Sequence, residues 1–279
     1  MGFKTMLVHV DTGRSASARL KFSADLAARF SAHVTGLYVR RPFQAPAFTD
    51  AGPAMDSLYR TYENAAKADE AAATAAFREL IGGTGLSSDW QVTDGLAEEA
   101  VAAHARYADL VIVGQGEPDA PATTTPADLA ETVAISGERP VLIVPHIGVT
   151  KPPGKTVLLC WNGTREAARA ATGALPILKQ ADKVIILLID PKSDGDEQPG
   201  LDVTRWLVRH GAGRPGPSAH GGPESGCETR LAAARDGFGA GSGGDGSGDG
   251  RIATATASPT CAAAAKQEPP AESRIGVCE

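Results

Sequence analysis

Two short stretches of the chain have the composition of a binding site. Asp11, followed by Thr12, closes the apolar run Met6-Leu7-Val8-His9-Val10, and Gly114-Gln115-Gly116 closes Leu110-Val111-Ile112-Val113. If both runs are neighbouring strands of a parallel sheet, these residues flank one crevice, because ligands of such sheets bind at the carboxyl ends of the strands where strand order reverses. Asp11 has a second reading, as an end-of-strand cap for the helix that begins near Ser15, and both readings stay open at this point. The other candidates are weaker. Gly239-Ala240-Gly241-Ser242-Gly243-Gly244 matches the dinucleotide fingerprint by letter but has no strand before it and no helix after it. Ser242 to Ser247 only approximates a pyrophosphatase loop, and the calcium-type nonapeptide hint at Gly243 to Gly246 occurs once, where such units need stacking. Asn162-Gly163-Thr164 is a glycosylation sequon only in a secreted protein. His9 reads as a satisfied core or crevice histidine and His104 as a surface residue on a helix. His210, His220 and Cys227 lack metal-ligand spacing. No Ser-His-Asp or Cys-His arrangement can be assembled.

The elements that must position these residues alternate. Met6 to Val10 reads as a buried parallel strand, Ser15 to Phe30 as a helix and Val34 to Val39 as a second strand. Arg40 to Pro53, with Pro42, Pro46 and Pro53, reads as a loop. Ser57 to Ile81, Ala-rich and without proline, is a long helix. Asp89 to Thr93 is a weaker strand, Leu96 to Tyr107 a helix with Glu98 and Glu99 at its favourable end, and Asp109 to Gly114 the fourth strand. Gln115 to Pro126 is a loop, Asp128 to Ser136 a short helix and Val141 to Pro145 the fifth strand. This alternation predicts an α/β fold, a doubly wound five-stranded parallel sheet with helices on both faces.

The opening then returns. Lys155-Thr156-Val157-Leu158-Leu159-Cys160-Trp161-Asn162, a helix over Thr164 to Lys179 and a strand over Val184 to Ile189 repeat the first strand, helix and strand after roughly 150 residues, a spacing that means a duplicated domain rather than a solenoid. In the second copy Asn162 stands where Asp11 stands in the first. A further helix begins at Leu201 to Arg209, and after about His210 the patterning ends. Gly213 to Glu279 holds one Leu, one Phe, one Val and two Ile, with no Tyr, Trp or Met. So little apolar surface cannot offset the ordering entropy, and the expectation is a disordered tail. A shifted reading frame would explain the abrupt change; a natural low-complexity tail is the alternative. The expected organisation is a complete domain over 1–147, a linker over 148–154, a truncated second copy over 155–212 and the tail over 213–279.

Composition narrows the partners. A net charge of -6, from 27 Lys+Arg against 33 Asp+Glu, gives the chain no electrostatic reason to seek nucleic acid or anionic lipid. No apolar run approaches a membrane span, and the strand-like N-terminus is unlike a signal peptide. Of the four cysteines only Cys160 lies in well-patterned sequence, as a buried thiol in a strand, and Cys227, Cys261 and Cys278 have neither disulfide nor zinc spacing. A cytoplasmic location is expected.

With these elements in place, the chain resembles a tandem universal stress protein, whose fold is of the adenine-nucleotide alpha-hydrolase-like kind. The resemblance is carried by Met6 to Asp11 with its helix, by Ala108 to Gly114, by Arg139 to Pro145 and by Leu158 to Ala167. It covers about residues 3–146 as one unit and 155–210 as the front of another. It implies a non-catalytic stress-response or regulatory binding protein. It also implies, in many members, an adenine-nucleotide site with the acidic residue after strand one near the nucleoside. ATP or AMP is then the ligand to consider, at Asp11, Thr12, Gly114, Gln115 and Gly116. The family's phosphate loop has the form Gly-x-x-Gly, nine residues, then Gly-Ser or Gly-Thr. Gly114 matches the first glycine, but Glu117 stands at the second and Ala127-Asp128 replaces the Gly-Ser pair.

Phosphate at a helix N-terminus needs free N–H groups and the positive dipole end. Asp128 and Glu131 form a pattern close to a capping box, which would satisfy those N–H groups internally, while Glu117 adds negative charge and Pro118 and Pro121 remove donors. Poor ATP binding in the first domain is therefore expected. Members of the family pair through the last strand. Val141 to Val144 is expected to be an edge that has lost its internal partner, and the chain to form homodimers or aggregates. The competing reading is a nucleotide-dependent enzyme of the wider adenine-binding α/β group, which would need an intact phosphate loop or a catalytic constellation.

Overall fold

The computed structural model describes residues 2–43, 53–116, 126–149, 154–189 and 200–212, together with the main chain of 228–234, 252–255 and 274–278. Two compact units divide the chain, Phe3–Arg139 and Met1–Gly2 with Pro140–Glu279.

The first unit contains β1 (Thr5–Val10), α1 (Ala16–Phe30), β2 (His33–Arg40), α2 (Pro53–Leu80), β3 (Ser88–Asp94), α3 (Ala97–Ala105), β4 (Leu110–Gly114) and α4 (Leu129–Ser136). β5 (Val141–Val144) follows, and the five strands stand in the order β3-β2-β1-β4-β5. This is the expected five-stranded α/β sheet. β1 lies between β2 and β4 and is parallel to both. The chain runs outward from β1 to β2 and β3, then returns to place β4 on the other side of β1. The reversal of strand order therefore falls between β1 and β4, where the sequence placed the crevice.

β4 is buried along its whole length and β1 from Met6 onward, as an apolar parallel strand covered on both faces must be. α1 covers the sheet with Ala16, Leu20, Ser23, Ala24 and Ala27, at the three- and four-residue spacings of one helical face. It ends at Ser31, whose φ of 51° is left-handed, with the Ala32 N–H returning to Ala27 O at 3.0 Å. α2 lies against β2 through Phe77, whose ring stands 5.0 Å from that of Trp90 on β3. Both rings occupy the space over Gly36, where a Cβ would collide with them.

The second unit contains β6 (Thr156–Trp161), α5 (Arg165–Leu178), β7 (Lys183–Ile189) and α6 (Leu201–Arg209). Thr164 caps α5 by accepting the Ala167 N–H at 3.3 Å. Beyond residue 212, where the sequence gives no pattern and disorder was expected, the main chain of three further strands is described: β8 (Glu228–Ala234), β9 (Ile252–Ala255) and β10 (Arg274–Cys278). β8 pairs parallel with β7, β10 with β6, and β9 with β10. A ladder uses main-chain N–H and C=O groups, so an apolar-poor segment can extend a sheet without the side-chain pattern that makes a strand legible. β9 also pairs antiparallel with β5, Ile143 opposite Ala253. The Gly-rich run from Gly239 to Ser247 lies outside the described residues.

Candidate functional site

The site grows from the carboxyl ends of β1 and β4. Val8 stands opposite Ile112 in the parallel register, and each strand ends two residues further along, β1 at Val10 and β4 at Gly114. Asp11 is the first residue beyond β1. Its Oδ1 accepts the Gly13 N–H at 3.0 Å, the short local turn that Asp makes with main chain two residues on. Its Oδ2 lies 2.9 Å from Nη2 of Arg19. Both carboxylate oxygens are therefore engaged from within. The N-cap of α1 is Ser15, whose own side chain makes no cap bond.

Arg19 is the residue that the sequence reading passed over. It is 1% exposed and sits on the covered face of α1 beside Leu20 and Ser23. Its Nε donates to the carbonyl of His9 at 3.0 Å, and its Nη1 lies where a Cβ of Gly114 would be. One guanidinium thus touches the ends of both central strands. The signal was present: Arg19 stands three residues after Ala16 and four before Ser23, a charged residue inside an otherwise apolar and small-residue stripe. A buried Arg needs a carboxylate, and Asp11 is eight residues upstream in sequence, at the helix's own entry.

His9 is buried at 3% exposure, as expected, but its Nδ1 has no hydrogen-bond partner, so it is not the satisfied histidine that was expected. Burial pushes its pKa down to about 4; Asp11 acts against this, and the charges of Arg19 and Arg41 reinforce it. His9 is consequently neutral near pH 7, and its 4.0 Å approach to Asp11 Oδ2 is not an ion pair there.

Of the remaining predicted residues, Thr12 and Gln115 are exposed and Gly114 is buried. Gly116 meets the return of its loop: a Cβ there would stand 2.6 Å from the Cα of Ala127. The structure thus brings Asp11, Gly114 and Gly116 to one end of the sheet, with Ala127 against the last of them. Glu117, Pro118 and Pro121 lie outside the described residues. Asp128 is the N-cap of α4, but its side chain makes no cap bond, which corrects the expected capping box with Glu131. The turn is closed by main chain instead, with Leu129 N–H on Pro126 O at 3.1 Å and Thr132 N–H on Asp128 O at 2.9 Å. Asp128 has φ −96° and ψ 1°, away from the extended conformation that turns an N-cap side chain over the first N–H groups. Among the described residues, no group of three or more His, Cys, Asp or Glu is placed to hold a metal ion. His104, expected at the surface, is part-buried, with Nδ1 2.8 Å from Ala100 O.

The family model for the universal stress proteins matches residues 2–145, just over half of the chain. The chain belongs to the universal stress protein family. One solved structure supports the fold, and others are similar over about half of the chain. A universal stress protein from Archaeoglobus fulgidus is 16% identical over 83% of this chain and 77% of its own, with a TM-score of 0.53. UspA from Lactobacillus plantarum is 20% identical over 51% of this chain and 98% of its own, at TM-score 0.40. A universal stress protein from Archaeoglobus fulgidus in complex with dAMP is 15% identical over 51% of this chain and 98% of its own, at TM-score 0.34. No curated protein matches. Within this universal stress protein, then, the acidic residue after β1 is held by an internal arginine, and the loop after β4 returns through Ala127-Asp128. Among the described residues no helix is long and apolar enough to cross a membrane.

Proposed function

We propose that this universal stress protein is a non-catalytic binding protein of the cytoplasmic stress response, and that its first domain binds ATP poorly, an AMP-type ligand being the better fit. The observation that carries the reading is the engagement of Asp11. With Oδ1 on the Gly13 N–H and Oδ2 on Arg19, the carboxylate offers a ligand only what remains of its acceptor capacity. A triphosphate would further need the donors of a glycine-lined turn before α4, and Ala127-Asp128 places a carboxylate there instead. The absence of catalysis is supported by the same residues. A buried His9 with its proton off, and an Asp11 locked to an arginine, are poor general bases for a bound substrate. Pairing of two copies through β5 belongs to the same proposal. It would compete with the antiparallel register of β5 on β9, and light scattering of the concentrated full chain tests it, a strictly monomeric species counting against dimers.

Calorimetric titration of ATP and of AMP onto the full chain tests the main reading. Weak or undetectable ATP binding is expected, with AMP no weaker than ATP. Micromolar ATP affinity overturns the reading, as does turnover of ATP that an Asp11→Ala substitution abolishes.

A further inference from the structure

We propose that Arg19 is an internal plug of the crevice, and that it sets whether the site accepts the nucleoside part of a ligand at all. The proposal rests on the reading above that a ligand's nucleoside end would lie at Asp11. Arg19 is a positioning residue in this scheme: at 1% exposure it cannot itself touch a ligand. Its guanidinium makes three contacts at one place, with the His9 carbonyl through Nε, with Asp11 Oδ2 through Nη2, and with the Gly114 Cα through Nη1. The first two tie the end of β1 to α1; the third lays the cation under the end of β4. A ligand hydroxyl or amine that needs an acceptor finds the Asp11 carboxylate already paired with a cation, and displacing that pair would strand a buried charge.

The second copy shows the same turn built without the plug. Asn162 Oδ1 accepts the Thr164 N–H at 3.0 Å, as Asp11 Oδ1 accepts that of Gly13. The offset that carries Asp11 onto Asn162 and Gly13 onto Thr164 carries Arg19 onto Ala170 and His9 onto Cys160. It also carries the buried Ala16, Leu20, Leu26 and Ala27 onto the buried Ala167, Ala171, Ile177 and Leu178. The carboxylate, the arginine and the histidine are therefore all replaced by uncharged residues together. Such a change of the whole set is what a closed unit requires: the arginine is kept where there is a carboxylate to hold it and absent where there is none.

The test uses the full chain and adenosine, a nucleoside without phosphate, titrated calorimetrically onto wild type, Asp11→Asn, Arg19→Met and the double variant Asp11→Asn/Arg19→Met. The double variant leaves no uncompensated buried charge, so it keeps the fold even where Arg19→Met alone does not; circular dichroism and a cooperative melt verify this. Adenosine affinity is expected to rise roughly tenfold or more in the double variant, and in Arg19→Met where folded, while Asp11→Asn alone, with the guanidinium still in place, gives no such gain. Unchanged affinity in the folded double variant overturns the plug, and so does an equal gain from Asp11→Asn alone. Tight ATP binding by wild type would instead overturn the functional reading, so the two failures are distinguishable.

Discussion

Gly114 ends β4 directly against the guanidinium of Arg19, with the space of its missing Cβ taken by Nη1. Gly114 was read from the sequence as the first glycine of a phosphate loop. Its absent side chain also serves a packing need, since a buried arginine cannot retreat from an added methyl without leaving Asp11. Gly114→Ala should therefore destabilise the first unit by about 1–3 kcal/mol, the usual cost of overpacking. Urea unfolding measures it, and a midpoint equal to wild type would show that Arg19 moves aside freely.

His9 makes stability depend on pH. Its folded pKa is lowered by burial, from 6.5 in the free residue to about 4. Below pH 6.5 the unfolded chain takes up a proton that the folded chain refuses until about pH 4, so stability is lost as pH falls through that window. The loss attributable to His9 is roughly 3 kcal/mol across it. Denaturant titrations of wild type and His9→Gln between pH 7 and pH 4 should show the wild-type slope flattened in the variant, and parallel slopes would sink the assignment.

Asp109 acts at the opposite end of the same two strands. Its Oδ2 accepts the N–H of Lys4 at 2.7 Å, the N–H of Thr5 at 3.0 Å and the Thr5 hydroxyl at 3.2 Å, so one carboxylate joins the start of β1 to the start of β4. Partial burial works to raise its pKa, but the hydrogen bonds from Lys4 and Thr5 and the charge of Arg139 outweigh it and hold the group below its ordinary 3.8. This contribution is complete above the unfolded value and lost as pH falls through the lowered one. Asp109→Ala should cost about 1–3 kcal/mol through the N–H groups it leaves unpaired. Thermal melts at neutral pH check this, a melt indistinguishable from wild type counting against it.

Cys160 is a buried thiol whose pKa is pushed up to about 12 by burial. The thiolate is the reactive form, so native protein at pH 8 should leave the Cys160 peptide unalkylated by iodoacetamide, while denaturant exposes it to full labelling. Rapid labelling of that peptide under native conditions, read by mass spectrometry, would refute its placement inside the β6 strand.

Much of this architecture was legible in the residues. Apolar runs such as Met6 to Val10 and Leu110 to Val113 are long enough and bounded sharply enough to be buried parallel strands. The alternation with helices then leaves little choice of topology. The observed elements begin and end within a few residues of the expected ones, and Asp11 and Gly114 do meet at the reversal of strand order. The capping of α4 was not legible. Asp128 and Glu131 have the right spacing for a capping box, but a cap needs an extended N-cap residue, and the chain reaches α4 through a tight turn at Pro126 and Ala127.

What the sequence determined by itself is therefore local and periodic: which segments are strands, which are helices, and the order in which they alternate. The tertiary structure alone decided what Arg19 does. Its partners are the carbonyl of His9, the carboxylate of Asp11 and the Cα of Gly114, and the last is nearly a hundred residues away along the chain. Only the parallel pairing of β1 with β4 brings that glycine under a helix that follows β1. A charge on a buried stripe reads as an anomaly until the fold supplies the carboxylate that neutralises it and the missing side chain that makes room for it.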